Sequence, residues 1–281
     1  MRSSGGRCGR SAPAREAVGD LAPAAMPREI PRVSLPTFVT DEPFSAPSTV
    51  TLGEEESHHM RVRRLEPGVR IRLLDGQGTV GEGVLTQLAK RHATVSVDRA
   101  EEVEPPLAIH LLLPVADKDR MLWLAEKATE LGVASWRPVV WKRSKNVNPR
   151  GEGPMFQQKV RARMVSALGQ SGGAWLPTIY PDATVEHAIA ARPESVAIVL
   201  DAGAPTLLTV MAEGLETLKV FGAPTAVTIA IGPEGGFEQA ELDALKLAGF
   251  HPAALGANVL RFETAAVAGV AAVRAVLDAH V

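Results

Sequence analysis

Apolar and polar positions give this chain two textures, which meet at the stiff break Glu104-Pro105-Pro106. Before the break, from Arg32 to Val103, apolar positions come in short runs. Val69-Arg70-Ile71-Arg72-Leu73 alternates with period two, as a strand with one buried face does. Asp75-Gly76-Gln77-Gly78 is a hairpin signal leading into strands Val80 to Leu88 and Ala93 to Val97. One helix, Glu54 to Leu65, is predicted between them, stopped by Pro67-Gly68. The expectation over residues 28–103 is a small β-rich domain, a compact barrel.

After the break, strands alternate with longer helices. Ile109 to Pro114, Val196 to Leu200 and Ala226 to Ile231 are predominantly apolar runs, interrupted only by His110 and Thr228, the pattern of strands covered on both faces. Val139-Val140 is a further short strand. Met121, Leu124, Ala125, Ala128 and Leu131 share one face of a helix predicted from Asp119 to Leu131, with Gly132 as its stop. Helices are also expected at Gly153 to Leu168, Glu238 to Leu247 and, rich in alanine, Glu263 to Ala279. This order predicts an α/β domain with a mostly parallel sheet over residues 104–281.

Composition narrows the possible functions. The chain has 281 residues, 46% of them apolar, and a net charge of −2, so any nucleic-acid binding must come from local clusters of basic residues. No window approaches the roughly 18 unbroken apolar residues of a membrane span. The single cysteine, Cys8, excludes a disulfide framework and a thiolate metal site, which suits a reducing cytoplasm. Residues 1–27 read as a leader without structure. Met26, directly before domain-like sequence, could be the true start, or the leader could be a genuine tail.

The densest chemistry lies near the carboxyl end. The strand ending at Ile231 runs into Gly232-Pro233-Glu234-Gly235-Gly236, and a helix follows. Glycine has no Cβ to hold a ligand away from the backbone, so this turn is a candidate ligand site. It matches neither G-x-G-x-x-G nor the P-loop pattern. A second turn, Leu255-Gly256, leads to Leu260-Arg261-Phe262-Glu263-Thr264 and again opens a helix. Glu263 and Thr264 could simply begin that helix, and Arg261 could form a surface ion pair. Beside the first turn, Arg261 also suits a clamp on an anion or a carbonyl.

Basic residues cluster twice. Five arginines lie between His58 and Arg72 against one carboxylate, with Arg61 and Arg64 expected on one helical face. Seven lysines and arginines, Lys142 and Arg143 among them, lie between Trp141 and Arg163 against Glu152 alone. Phosphate contacts explain both blocks most simply, with ordinary solvated faces as the alternative. The histidines have no metal-ligand spacing, and G-x-S-x-G is absent, so neither metal hydrolysis nor acyl-enzyme chemistry is expected.

Taken together, Pro31-Arg32, His59-Met60-Arg61-Val62-Arg63-Arg64, Leu74-Asp75-Gly76, Glu126-Lys127-Ala128-Thr129-Glu130-Leu131-Gly132-Val133, Gln170-Ser171-Gly172, Ile231-Gly232-Pro233-Glu234-Gly235-Gly236 and Leu260-Arg261-Phe262-Glu263-Thr264 resemble the bacterial 16S ribosomal RNA uridine-N3 methyltransferases. These are a branch of the SPOUT superfamily. The resemblance spans Pro31 to Leu277. Phe262 stands where relatives usually have threonine, Gly256-Ala257-Asn258 where they have Gly-Pro-Arg, and Gly173 where they often have arginine.

The resemblance implies an α/β fold: a PUA-like β-barrel that binds RNA, then a SPOUT domain closed by a trefoil knot, which ordinary topology rules would not suggest. It implies a cytoplasmic homodimer that uses S-adenosylmethionine, without metal, to methylate N3 of a specific uridine in 16S ribosomal RNA of the small subunit. Arg261 and Glu263 are then the catalytic candidates. Leu200, Ile231, Gly232, Pro233, Glu234, Gly235, Gly236, Leu255, Gly256, Leu260 and Thr264 would hold the cofactor. Arg32, Arg61, Arg64, Lys142 and Arg143 would hold RNA. The alternatives are another RNA target, or a non-catalytic RNA-binding assembly protein.

Overall fold

The computed structural model describes residues 35–144, 153–213 and 226–279. Their first part is a five-stranded sheet in the order β1-β3-β4-β5-β2. Its strands are β1 (Thr37–Val39), β2 (Ser48–Leu52), β3 (Arg70–Leu74), β4 (Thr79–Leu88) and β5 (Ala93–Glu102). All pairs are antiparallel except β1 with β3. The predicted hairpin is real: Asp75 accepts the amides of Gln77 and Thr79, tightening the turn between β3 and β4. Period-two alternation puts Ile71, Leu73, Leu85, Val95 and Val97 in one core, closed from outside by Met60 of helix α1 (Glu54–Val62).

Helix α1 is shorter than the sequence suggests. It stops at Val62, where Arg64 takes a left-handed conformation (φ 54°). The amides of Arg64 and Leu65 fold back onto the carbonyls of Arg61 and Met60, the double bond of a Schellman ending. Arg64 is therefore not on the helix, and it does not share a helical face with Arg61.

The second sheet has six parallel strands in the order β11-β9-β10-β6-β7-β8. These are β6 (Ala108–Pro114), β7 (Ser135–Val139), β8 (Thr178–Ile179), β9 (Val196–Leu200), β10 (Ala226–Ala230) and β11 (Phe250–Ala253). The predicted strand at Val139-Val140 is the tail of β7, which begins four residues earlier.

The apolar runs are explained by two cores. Ile109, Leu111, Leu113, Ile198, Val227 and Ile229 face helices α2 (Lys118–Glu130), α3 (Pro154–Ser171), α5 (207–213) and α7 (Phe262–Asp278). The intervening Leu112, Ala197, Val199 and Ala230 face α4 (Val185–Ala190) and α6 (Gln239–Leu247). Burying one such side chain fully contributes about 1.5–3 kcal/mol, so both alternating sets are under pressure to stay apolar.

The small residues of α7 serve this packing. Ala265, Ala266, Gly269 and Val270 are buried within the chain, and Arg274 ties the helix down through the carbonyls of Leu107 and Gly132. Val39, Leu74, Val80, Leu168 and Ala174 form one further cluster that joins the first sheet to α3.

Candidate active site

The carboxyl ends of β9, β10 and β11 lie side by side, and there the chain leaves a cavity of about 310 Å³. Ligands of parallel α/β sheets bind at that end, and this volume lies at the lower limit for small-molecule sites. The two turns singled out in the sequence face each other across it. Leu200, Ile231, Gly232, Pro233, Glu234, Gly236, Leu255, Gly256 and Leu260 all line the cavity. Phe237, Leu242 and Phe262 add apolar wall, and Asp201 adds a carboxylate that sequence reasoning missed.

Both turns keep their backbone bare. After Ile231 donates to the carbonyl of Leu112, the chain leaves the sheet. Gly236 then closes the turn onto Pro233 with φ +71°, a conformation glycine adopts without cost. Among the described residues, the amides of Gly232 and Gly235 find no partner, and neither does any amide of residues 255–260. Gly235 and residues 256–260 are exposed, so their amides are open to the acceptors of a ligand without breaking an internal bond.

Two predicted cofactor positions stand outside the cavity, and neither catalytic candidate, Arg261 or Glu263, lines it. Gly235 faces away from it: a Cβ there would lie 3.3 Å from Cβ of Arg143. Thr264 is exposed on the first turn of α7 and does not line the wall. Arg261 caps α7 from an extended backbone and is exposed, and no hydrogen bond or ion pair engages its guanidinium among the described residues. Glu263 does not hold Arg261. Its nearest cation is Arg120, with Nε 3.9 Å from Oε1, while Oε2 is buried without a partner.

Arg120, in the first turn of α2, is the main residue the sequence left unmarked. It donates to Glu234 of the glycine turn, pairs with Asp117 at 3.2 Å and lies 5.9 Å from the centre of the Phe262 ring. The bond to Glu234 raises its pKa further above the ordinary guanidinium value. The sequence placed Arg120 in a predicted helix, and the signal it overlooked is the N-cap Asp117, which fixes where that helix begins.

The predicted RNA contacts divide. Arg61, in the last turn of α1, and Arg64, just past its end, are both exposed, with Arg61 bonded to the carbonyl of Lys90. Lys142 and Arg143 are exposed too, but they also brace the site: the Lys142 amide donates to Glu241, and Arg143 donates to the carbonyl of Gly235 at 3.0 Å. Arg161 and Arg163 of the second block are paired with Asp41 and Glu126. Arg32 lies outside the described residues.

A family model described as an RNA methyltransferase domain matches residues 103–274. The chain belongs to the RNA methyltransferase family. A second model, the RNA methyltransferase PUA domain, matches residues 52–98, within the first sheet.

Among this family's curated members, the chain is similar to ribosomal RNA small subunit methyltransferase E of Synechocystis sp. The two are 29% identical over 82% of this chain and 74% of that protein. It is also 29% identical to the protein of that name from Mycobacterium bovis, over 86% of this chain and 91% of the relative. Among solved structures it resembles ribosomal RNA small subunit methyltransferase E of Neisseria gonorrhoeae bound to S-adenosyl methionine. The TM-score is 0.74 at 28% identity, over 86% of this chain and 98% of that one.

Proposed function

We propose that this RNA methyltransferase family member uses S-adenosylmethionine to methylate N3 of one uridine in 16S ribosomal RNA, the uracil-1498 position. The observation that carries the reading is the meeting of two backbone-bare turns over the strand ends. The cavity suits the cofactor in kind: unpaired amides for the polar atoms of an adenosine, and Phe237, Leu242 and Phe262 for its apolar faces. When bound, S-adenosylmethionine supplies a methyl group made electrophilic by the sulfonium that carries it.

The chain's own residues supply the rest. Uridine N3 is protonated at neutral pH, and its lone pair is unavailable until that proton leaves. The uracil anion spreads its charge over N3 and two carbonyl oxygens, a planar target for a guanidinium. Arg261, unengaged among the described residues and flanked by the cavity-lining Leu260 and Phe262, is the proposed clamp. Glu263, two residues on, has a carboxylate oxygen with no partner and is the proposed proton acceptor. Holding base and donor together removes much of the entropic barrier to reaction.

RNA would be held by the exposed pair Arg61 and Arg64 on the first domain and by Lys142 and Arg143 beside the glycine turn. A homodimer is proposed with it, because Val259 and Leu260 leave apolar surface at the cavity rim, 86% and 38% exposed. The test is calorimetric titration of the purified protein with S-adenosylmethionine. The expected result is one site per chain, weakened about tenfold or more in a Gly232→Ala variant. No heat and no rise in melting temperature would refute the reading.

A further inference from the structure

Helix α2 enters the site from outside both turns, and it does so through one side chain. Arg120 is fastened to its own helix start, because Asp117 accepts its amide at 3.0 Å and pairs with its Nε at 3.2 Å. The same guanidinium reaches Glu234 in the first turn, 114 residues away in sequence. It also lies against the head of α7, 3.9 Å from Glu263 and over the Phe262 ring. Glu234 and Phe262 both line the cavity, so one cation touches both of its walls.

An exposed ion pair would contribute little, but Arg120 is only 34% exposed in its side chain, and it forms a network of three carboxylates and one ring. Its planar fork can address several acceptors at once, which a lysine ammonium does less well. The two turns belong to different segments, and no backbone hydrogen bond joins residues 232–236 to residues 255–260. The sheet anchors where each turn starts, and beyond the strand ends side chains set the separation.

We infer that Arg120 is a positioning residue for methyl transfer: it bridges the glycine turn and the head of α7 and so sets the cavity width that the cofactor requires. This rests on the cofactor reading above. Arg120 is not assigned contact with either reactant.

The experiment is a double-mutant cycle of Arg120→Met and Glu234→Gln. It is read as affinity for S-adenosylhomocysteine by calorimetry, KM for each substrate, and melting temperature. Each single variant should bind about 10-fold more weakly, and the double variant no more weakly than Arg120→Met alone. KM for the cofactor should rise while KM for ribosomal RNA stays put, and Arg120→Lys should recover part of the loss.

Wild-type affinity in Arg120→Met would overturn the inference. So would fully additive losses, or a fall in melting temperature with both KM values unchanged. Failure of the wild-type protein to bind S-adenosylhomocysteine would instead overturn the cofactor reading.

Discussion

The ring of Phe237 occupies the space that a side chain on Gly232 would need: a Cβ there would stand 2.9 Å from the ring. Phe237 cannot easily yield, because its ring packs edge-on to the buried Trp141 at a centroid distance of 4.8 Å. Gly232→Ala should therefore displace the turn rather than fill a vacant cradle. Overpacking of this kind costs about 1–3 kcal/mol. The expected outcome is a clear loss of stability in denaturant titration, with cofactor affinity down by tenfold or more. A variant that kept both would show that the turn tolerates a side chain.

Gly235 should behave differently, since it faces Arg143 rather than the cavity. Gly235→Ala is expected to disturb the hydrogen bond from Arg143 to its carbonyl and to lower cofactor affinity far less than Gly232→Ala. Calorimetry on the two variants side by side decides this. Equal losses would mean that the whole turn, and not its inward face, forms the contact.

Arg64 holds a left-handed conformation that glycine adopts more readily. Arg64→Gly should leave the Schellman ending intact and change stability by about 1 kcal/mol or less. If the arginine is kept for phosphate contact, the same variant should bind ribosomal RNA more weakly, and more so combined with Arg61→Ala. The salt dependence of binding should flatten as each charge is removed. Unchanged RNA affinity in the double variant would remove this patch from the interface.

His110 lies on the central strand β6 with Nδ1 2.7 Å from Ser135 Oγ, and burial lowers its pKa from the ordinary 6.5. The unfolded chain takes up this proton at a higher pH than the folded one, so stability falls as pH drops below about 6.5 and levels off below the folded value. His110→Gln should show a shallower loss of stability between neutral and mildly acid pH. Identical pH profiles for the two proteins would contradict the assignment.

Much of the frame is legible in the sequence for a physical reason. A strand covered on both faces is apolar at nearly every position, which made β6, β9 and β10 stand out despite His110 and Thr228. A turn of glycine and proline after such a strand marks where the backbone leaves the sheet.

What was not legible depends on distant partners. β11, Phe250-His251-Pro252-Ala253, carries a proline and a histidine and reads as loop; it forms only because it pairs as an edge strand with β9. The predicted extent of α1 failed because a non-glycine residue ended the helix. Arg120 looked like any charged residue near a helix start, since Glu234 and Glu263 are brought to it by the fold alone.

The most direct test is methylation of small ribosomal subunits from a strain lacking this protein, using purified protein and S-adenosylmethionine, followed by mass spectrometry of the RNA nucleosides. The account predicts a single new 3-methyluridine in 16S RNA, strongly reduced with Gly232→Ala and with Arg261→Ala. A methyl group on another nucleoside, or none while the cofactor still binds, would contradict it.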